Sequence, residues 1–126
     1  MRSITEEIIA LETYALRRWC AGDPGGFLEI CDGDVVYFDP FIDRRIDGLE
    51  ALTDYYEAIR GKVRASRFEL LDPRVRVIGD AAVLTFNFVS HGSQGDEHRW
   101  NCTEVFRRGP SGWRIIQTHW SFTRAG

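Results

Sequence analysis

A basic surplus, an even set of cysteines and a long apolar run are all missing from this 126-residue chain. The formal net charge of −3 lacks the positive footprint of a non-specific nucleic-acid binder. The basic pairs Arg17–Arg18, Arg44–Arg45 and Arg107–Arg108 are interleaved with acids and read as solvated faces. No apolar stretch approaches the length of a membrane span. The first segment, "MRSITEEIIALETYALRRW", carries Glu6, Glu7 and Glu12 inside its apolar pattern, unlike a signal peptide. Three cysteines, Cys20, Cys31 and Cys102, are an odd number without metal-like spacing, so free thiols, no metal and a cytoplasmic setting are expected. No repeat, linker or low-complexity tract divides the chain, and its length fits one domain, 1–126.

What is present suits a folded chain: 44% hydrophobic and 28% charged residues. The aromatic share is 13%, with four Trp and eight Phe, enough to build a core or line an apolar pocket. Ser3 followed by Glu6 fits a capping box. Ile4, Ile8, Leu11, Ala15 and Trp19 then recur at helical spacing, predicting a helix from about Ser3 to Cys20. "AGDPGG" ends it and predicts a short second helix, with Asp23 as cap, Pro24 as first helical residue, and Phe27, Ile30 and Cys31 buried. "VVYFD" is a strand-like run, and "DGLEALTDYYEAIRG" predicts a third helix between Gly48 and Gly61.

Four long β runs joined by hairpin-length connections complete the chain: "RFELLDPRVRVIG", "AAVLTFNFVSH", "HRWNCTEVFRR" and "GWRIIQTHWSF". The order α-α-β-α-β-β-β-β implies an α+β domain whose antiparallel sheet carries its helices on one face. Curved around those helices, such a sheet forms a cone with an apolar interior.

Alternation along strands assigns faces. Tyr37 and Asp39 share one, as do Trp100, Cys102, Glu104 and Phe106. Trp113, Ile115, Gln117, His119 and Ser121 are expected together, with Trp120 and Phe122 opposite. Each polar member of an apolar row has two readings. Asp39 either forms a turn beside Pro40 or enters the cavity. Glu104 either pairs with Arg67 or Arg99 or is held there for a task. His119 is a core histidine or forms a proton-handling pair with Glu104. Trp19, Trp100 and Trp113 read as core or cavity wall, and His91 and His98 as solvent-facing. Cys102 has no base beside it and is not expected to act as a nucleophile. Trp120 and Phe122 are expected on the outer sheet face, where another subunit would cover them.

The whole chain resembles the nuclear transport factor 2-like superfamily, the cone-shaped fold that includes SnoaL-like polyketide cyclases, ketosteroid isomerase and scytalone dehydratase. Within it the chain is most like the association (hub) domain of calcium/calmodulin-dependent kinase II, through "GDPGGFLEICDGDVVYFDP", "DPRVRVIGDAA" and "TEVFRRGPSGWRIIQTHWS", from about Thr5 to Phe122. The resemblance implies a cystatin-like curved sheet and sheet-to-sheet dimers. The hub's cavity arginines fall on Phe88 and Glu104 here; of its two late histidines, one falls on His119 and the other on Gln117. Against ketosteroid isomerase, Asp39-Pro40 falls where the catalytic base lies, and Glu104 falls where a protonated carboxyl assists the oxyanion. The helix-borne oxyanion tyrosine has Ala15 in its slot, with Tyr14 adjacent.

Three functions therefore stay open. The first is a homodimeric cavity protein for a small, mostly apolar molecule, with Trp19, Tyr37, Trp100, Cys102 and Gln117 at the ligand. The second is a cofactor-free isomerase, cyclase or dehydratase using Asp39 as base and Glu104 or His119 as enolate stabiliser. The third is an assembly module without a ligand.

Overall fold

A computed structural model describes residues 1–124. Ser3 starts the first helix, α1 (Ile4–Cys20). Its hydroxyl accepts from the Glu6 amide at 3.1 Å, and the Glu6 carboxylate accepts from the Ser3 amide at 3.2 Å, satisfying two donors that a helix start leaves orphaned. Ile8, Glu12, Ala15, Leu16 and Cys20 make its buried stripe. Helix α2 (Gly25–Ile30) begins one residue later than the sequence suggests, with Pro24 at its cap, while Asp23 Oδ1 accepts from the Gly25 amide at 2.9 Å. Cys31 opens strand β1 (Cys31–Phe38) instead of closing the helix face. A two-residue strand unforeseen in the sequence, β2 (Ile46–Asp47), precedes helix α3 (Leu49–Ala58). Strands β3 (Arg67–Ile78), β4 (Ala81–His91), β5 (Glu97–Gly109) and β6 (Gly112–Phe122) follow as the expected meander.

The six strands form one sheet in the order β2-β1-β6-β5-β4-β3. It is curved, unclosed and packed on the helices, the α+β architecture the sequence implies. One pairing differs from an all-antiparallel sheet: β1 lies parallel to β6. No hairpin joins these two strands; the chain returns to β1 only after α3 and three further strands, so turn geometry does not dictate their direction.

Two irregularities shape the sheet. In β3 the register shifts between Leu71 and Arg74, across Asp72-Pro73, where Asp72 sits at φ 50°. Aspartate tolerates the left-handed region and proline donates nothing to the ladder, so this dipeptide bends the strand at little cost. In β6, Ile115 pairs with Phe106 and Gln117 with Val105, leaving Ile116 as an extra residue. One inserted residue reverses the alternation beyond it. Trp113 and Ile115 are buried before the bulge, Thr118 after it.

The cone thus has two unlike ends. At one, Ile8, Val35, Leu52, Leu84, Phe106 and Ile115 are all 0% exposed and make a closed core. At the other, the last residues of β1, β4 and β6 and the first of β5 meet the carboxyl-terminal half of α1 around an opening. No helix among the described residues is long and apolar enough to cross a membrane.

Candidate functional site: an aromatic cavity at the open end of the cone

The opening leads into a cavity of about 800 Å³, within the size range of small-molecule pockets. Its wall is built by alternation: Trp19 from α1, Phe88 from β4, Trp100 from β5 and Trp120 from β6 all face inward. Trp120 is the hub of this wall, with ring centroids 5.8 Å from Phe88 and 6.2 Å from Trp100, both near edge-to-face. Phe41 and Phe122 complete the rim, 6.0 and 4.4 Å from the Trp100 ring, and are 69% and 48% exposed.

Two carboxylates line the cavity: Asp39 and, on the loop before β5, Asp96, which meets His98 Nε2 at 3.1 Å. Asp39, half-buried, lies just past β1 and accepts from Tyr37 Oη and Tyr55 Oη on the same oxygen, each at 2.6 Å. Its other oxygen accepts from the Phe41 amide at 2.8 Å. The turn-forming role and the cavity role are therefore both realised: the backbone bond fixes the turn that places Phe41 on the rim, while the tyrosines hold the carboxylate in the cavity wall. A carboxylate offers about four lone-pair sites, so one remains for a ligand donor or a proton. Tyr37 is pushed far above the usual phenol range by burial, with Tyr56 and Asp39 adding to it. Tyr55 is pushed up by burial and by its bond to Asp39. Both are thus neutral donors at any physiological pH.

A second acidic site lies deeper. Glu104 on β5 and Glu12 on α1 are both 0% exposed. Thr118 Oγ1 donates to Glu104 Oε2 at 2.7 Å. As two bare carboxylates, the pair would leave Glu12 Oε1, Glu12 Oε2 and Glu104 Oε1 without a partner, a heavy desolvation cost. A proton on Glu12, directed at Glu104, would remove one of the two charges and give two of these three atoms a partner. Burial and the neighbouring Glu104 charge hold Glu12 well above the usual carboxyl range. Glu104 is raised by burial and pulled back by its bonds from Glu12 and Thr118. The ion pair with Arg67 or Arg99 does not form; those arginines meet Glu69 and Glu97 instead.

The residues singled out in the sequence divide accordingly. Trp19, Tyr37, Asp39 and Trp100 line the cavity. Cys102 and Glu104 face inward but sit past the cavity, in the tapered closed end; burial, then Glu104, pushes the Cys102 thiol well up, which leaves it inert. Gln117 and His119 do not reach the interior. The Ile116 bulge turns them outward, where both are exposed and His119 packs 5.1 Å from the Phe38 ring. The same bulge brings Trp120 inside, so neither Trp120 nor Phe122 belongs to the outer sheet face where a subunit contact was expected. His98 is exposed on the rim, whereas His91, expected in solvent, has a side chain only 16% exposed. Tyr14 points away from the cavity, its hydroxyl accepting from Arg18 Nη1 at 2.6 Å, while Ala15 is buried.

Tyr55, Tyr56 and Glu12 escaped the sequence reading. Glu12 could have been found, since it stands four residues from both Ile8 and Leu16 on the buried stripe. Tyr55 and Tyr56 are adjacent on α3, and nothing local shows that both meet β1.

Residues 19–125 match the family model of the SnoaL-like domain, and the chain belongs to that family. Among solved structures it is similar to a protein from Parabacteroides distasonis provisionally named a ketosteroid isomerase, with 45% identity over 98% of this chain and 90% of that one, and a TM-score of 0.89. It shares the fold of the calcium/calmodulin-dependent kinase II hub of S. rosetta, at 19% identity over 98% and 99% of the two chains and a TM-score of 0.78. The calcium/calmodulin-dependent protein kinase type II alpha chain of Drosophila melanogaster is 24% identical over 90% of this chain, which spans only 23% of that kinase.

Proposed function

We infer that this protein binds a small, mostly apolar, ring-containing molecule in the open end of its cone, with Asp39 as the polar anchor. The observation that carries this reading is an aromatic-walled cavity of about 800 Å³ with the half-buried Asp39 carboxylate, held by two tyrosine hydroxyls, in its wall. An assembly module without a ligand would have filled that space with its own aromatic side chains. Self-association has support from the hub-like neighbours, and it would use a surface other than Trp120 and Phe122. The three buried free cysteines support a reducing, cytoplasmic setting.

The isomerase-like reading is favoured by one observation, the 45% identity to the Parabacteroides protein. In that chemistry Asp39 would remove a proton beside a carbonyl. Glu104 and His119 lie outside the cavity lining, so the enolate would have to draw a hydroxyl donor from Tyr37 or Tyr55. Both now donate to Asp39; transfer of one bond to the substrate oxygen would accompany the loss of carboxylate charge as Asp39 takes the proton.

A thermal-shift screen of ring ketones, polyketide-like aromatics and small carboxylates tests the reading. A ligand at a hundred times its dissociation constant stabilises by about 2.7 kcal/mol, a shift of roughly 10 °C for a domain of this size. Ring compounds are expected to give such shifts and Asp39→Asn to weaken them. A screen in which no ring compound stabilises the protein would contradict the reading. Turnover of a ketone hit, lost in Asp39→Asn, would establish the isomerase-like form.

A further inference from the structure

The cavity rim carries charge that neither the aromatic wall nor Asp39 explains. Lys62 is the only lysine in the sequence, and with Arg64 it lines the cavity from the loop after α3. Both side chains are exposed, and neither makes an ion pair among the described residues. Neighbouring cations are spent on structure: Arg18 meets Asp23 and Glu29, and Arg60 meets Asp23 and Glu57. The acids on the rim have hydrogen-bond partners of their own and pair with neither cation. Asp96 holds His98 at 3.1 Å, and Asp39 holds its tyrosines.

The loop that carries the two free cations is fixed. The Gly61 amide donates to the Gly22 carbonyl at 2.8 Å and the Ala65 amide to the Cys20 carbonyl at 2.9 Å, tying both sides of Lys62–Arg64 to the end of α1. Gly22 and Gly61 sit at φ +87° and +80°, where a side chain is strained. A Cβ on Gly22 would also stand 3.2 Å from Arg64 Cζ, so the guanidinium rests on bare backbone. Two positive charges without counter-ions are thus held over an apolar opening, whose low-dielectric wall strengthens their pull on an anion.

We propose that the cavity takes an amphiphilic anion, its ring body against Trp100 and Trp120 and its carboxylate, sulfonate or phosphate end at Lys62 and Arg64. This deepens, and rests on, the reading of the cavity as a ring-binding site. A matched pair of fluorescent probes separates the two statements. 8-Anilinonaphthalene-1-sulfonate and N-phenyl-1-naphthylamine share one aromatic body, and only the first carries an anion. The wild-type protein is expected to bind the sulfonate roughly tenfold more tightly at low salt, a preference worth about 1.4 kcal/mol. Raising the salt to 1 M shrinks the Debye length to about 3 Å and should erode that preference. The double variant Lys62→Gln/Arg64→Gln should abolish it while leaving the neutral probe's affinity unchanged. The sulfonated probe should also protect Lys62 from acylation, read by mass spectrometry, more than the neutral probe does. Equal affinity for both probes in the wild type, or a preference that survives the double variant, overturns the anion site and leaves the cavity reading standing. If neither probe binds, the cavity reading fails and the anion site with it.

Discussion

The two ends of the cone share strands but not chemistry. On β5, Phe106 is 0% exposed and Trp100 only partly buried, six residues apart on the same face. On β4, Leu84 is sealed while Phe88 borders open space. The closed end spends its apolar side chains on each other and hides two carboxyls behind one proton. The open end leaves its aromatics unpartnered on one side and keeps the Asp39 carboxylate within reach of the cavity. Stability therefore comes from one end of each strand, and the space for the proposed ligand from the other.

That division can be broken by mutation. The largest effect is expected at the closed end, where Phe106→Ala should cost about 3–5 kcal/mol, read as a loss in urea midpoint without a change in slope. The same truncation of Trp100, which has less packing to lose, should cost less stability but remove most affinity for ring ligands. Equal stability losses at the two sites would contradict the division.

Next in size is the buried acid pair. Glu104→Ala leaves the Thr118 hydroxyl and the Glu12 proton without their acceptor, at a cost of about 1–3 kcal/mol. The pair also sets a pH dependence. Burial raises both carboxyls in the folded protein, so the folded state holds a proton that the unfolded state gives up. The stability it contributes is complete below the ordinary carboxyl value of about 4.3, and it is lost as pH rises from there through the folded-state value. Melting temperature should thus fall across that window. Glu12→Gln, which donates to Glu104 without titrating, should flatten the fall. A wild-type profile flat from pH 4.5 upward would refute the shared proton.

Asp39→Asn should change stability by no more than about 1–2 kcal/mol, because its amide oxygen can keep the turn by accepting from the Phe41 amide while its NH2 donates to a reoriented tyrosine hydroxyl. Ligand affinity should nonetheless drop, as measured by titration. The smallest effects belong to the outer face: Gln117→Ala and His119→Ala should stay within about 0.5 kcal/mol and leave ring-ligand affinity unchanged.

How much of this was written in the sequence differs between the same two ends. The closed end was legible wherever strict alternation holds, as at Val35 on β1 and from Cys102 through Phe106 on β5, because these positions continue an apolar row along one strand face. The open end was legible only up to the first irregularity. "GWRIIQTHWSF" gives no local sign that Ile116 is an extra residue, and Val36 and Val105 fix that bulge from two other strands. A one-residue slip then exchanged Gln117 and His119 for Thr118 and Trp120. Asp39 was readable because Pro40 and Tyr37 flag it. Its second tyrosine, Tyr55, comes from a helix sixteen residues on, a contact made by the fold alone.

The four tryptophans allow the division to be measured directly. Trp19, Trp100 and Trp120 line the cavity, while Trp113 is buried elsewhere, under Arg108. In protein labelled with 5-fluorotryptophan, titration with N-phenyl-1-naphthylamine should move three fluorine resonances and leave the fourth, assigned by Trp113→Phe, in place. Resonances that all stay still, or a Trp113 signal that moves as far as the others, would contradict a ligand site confined to the open end.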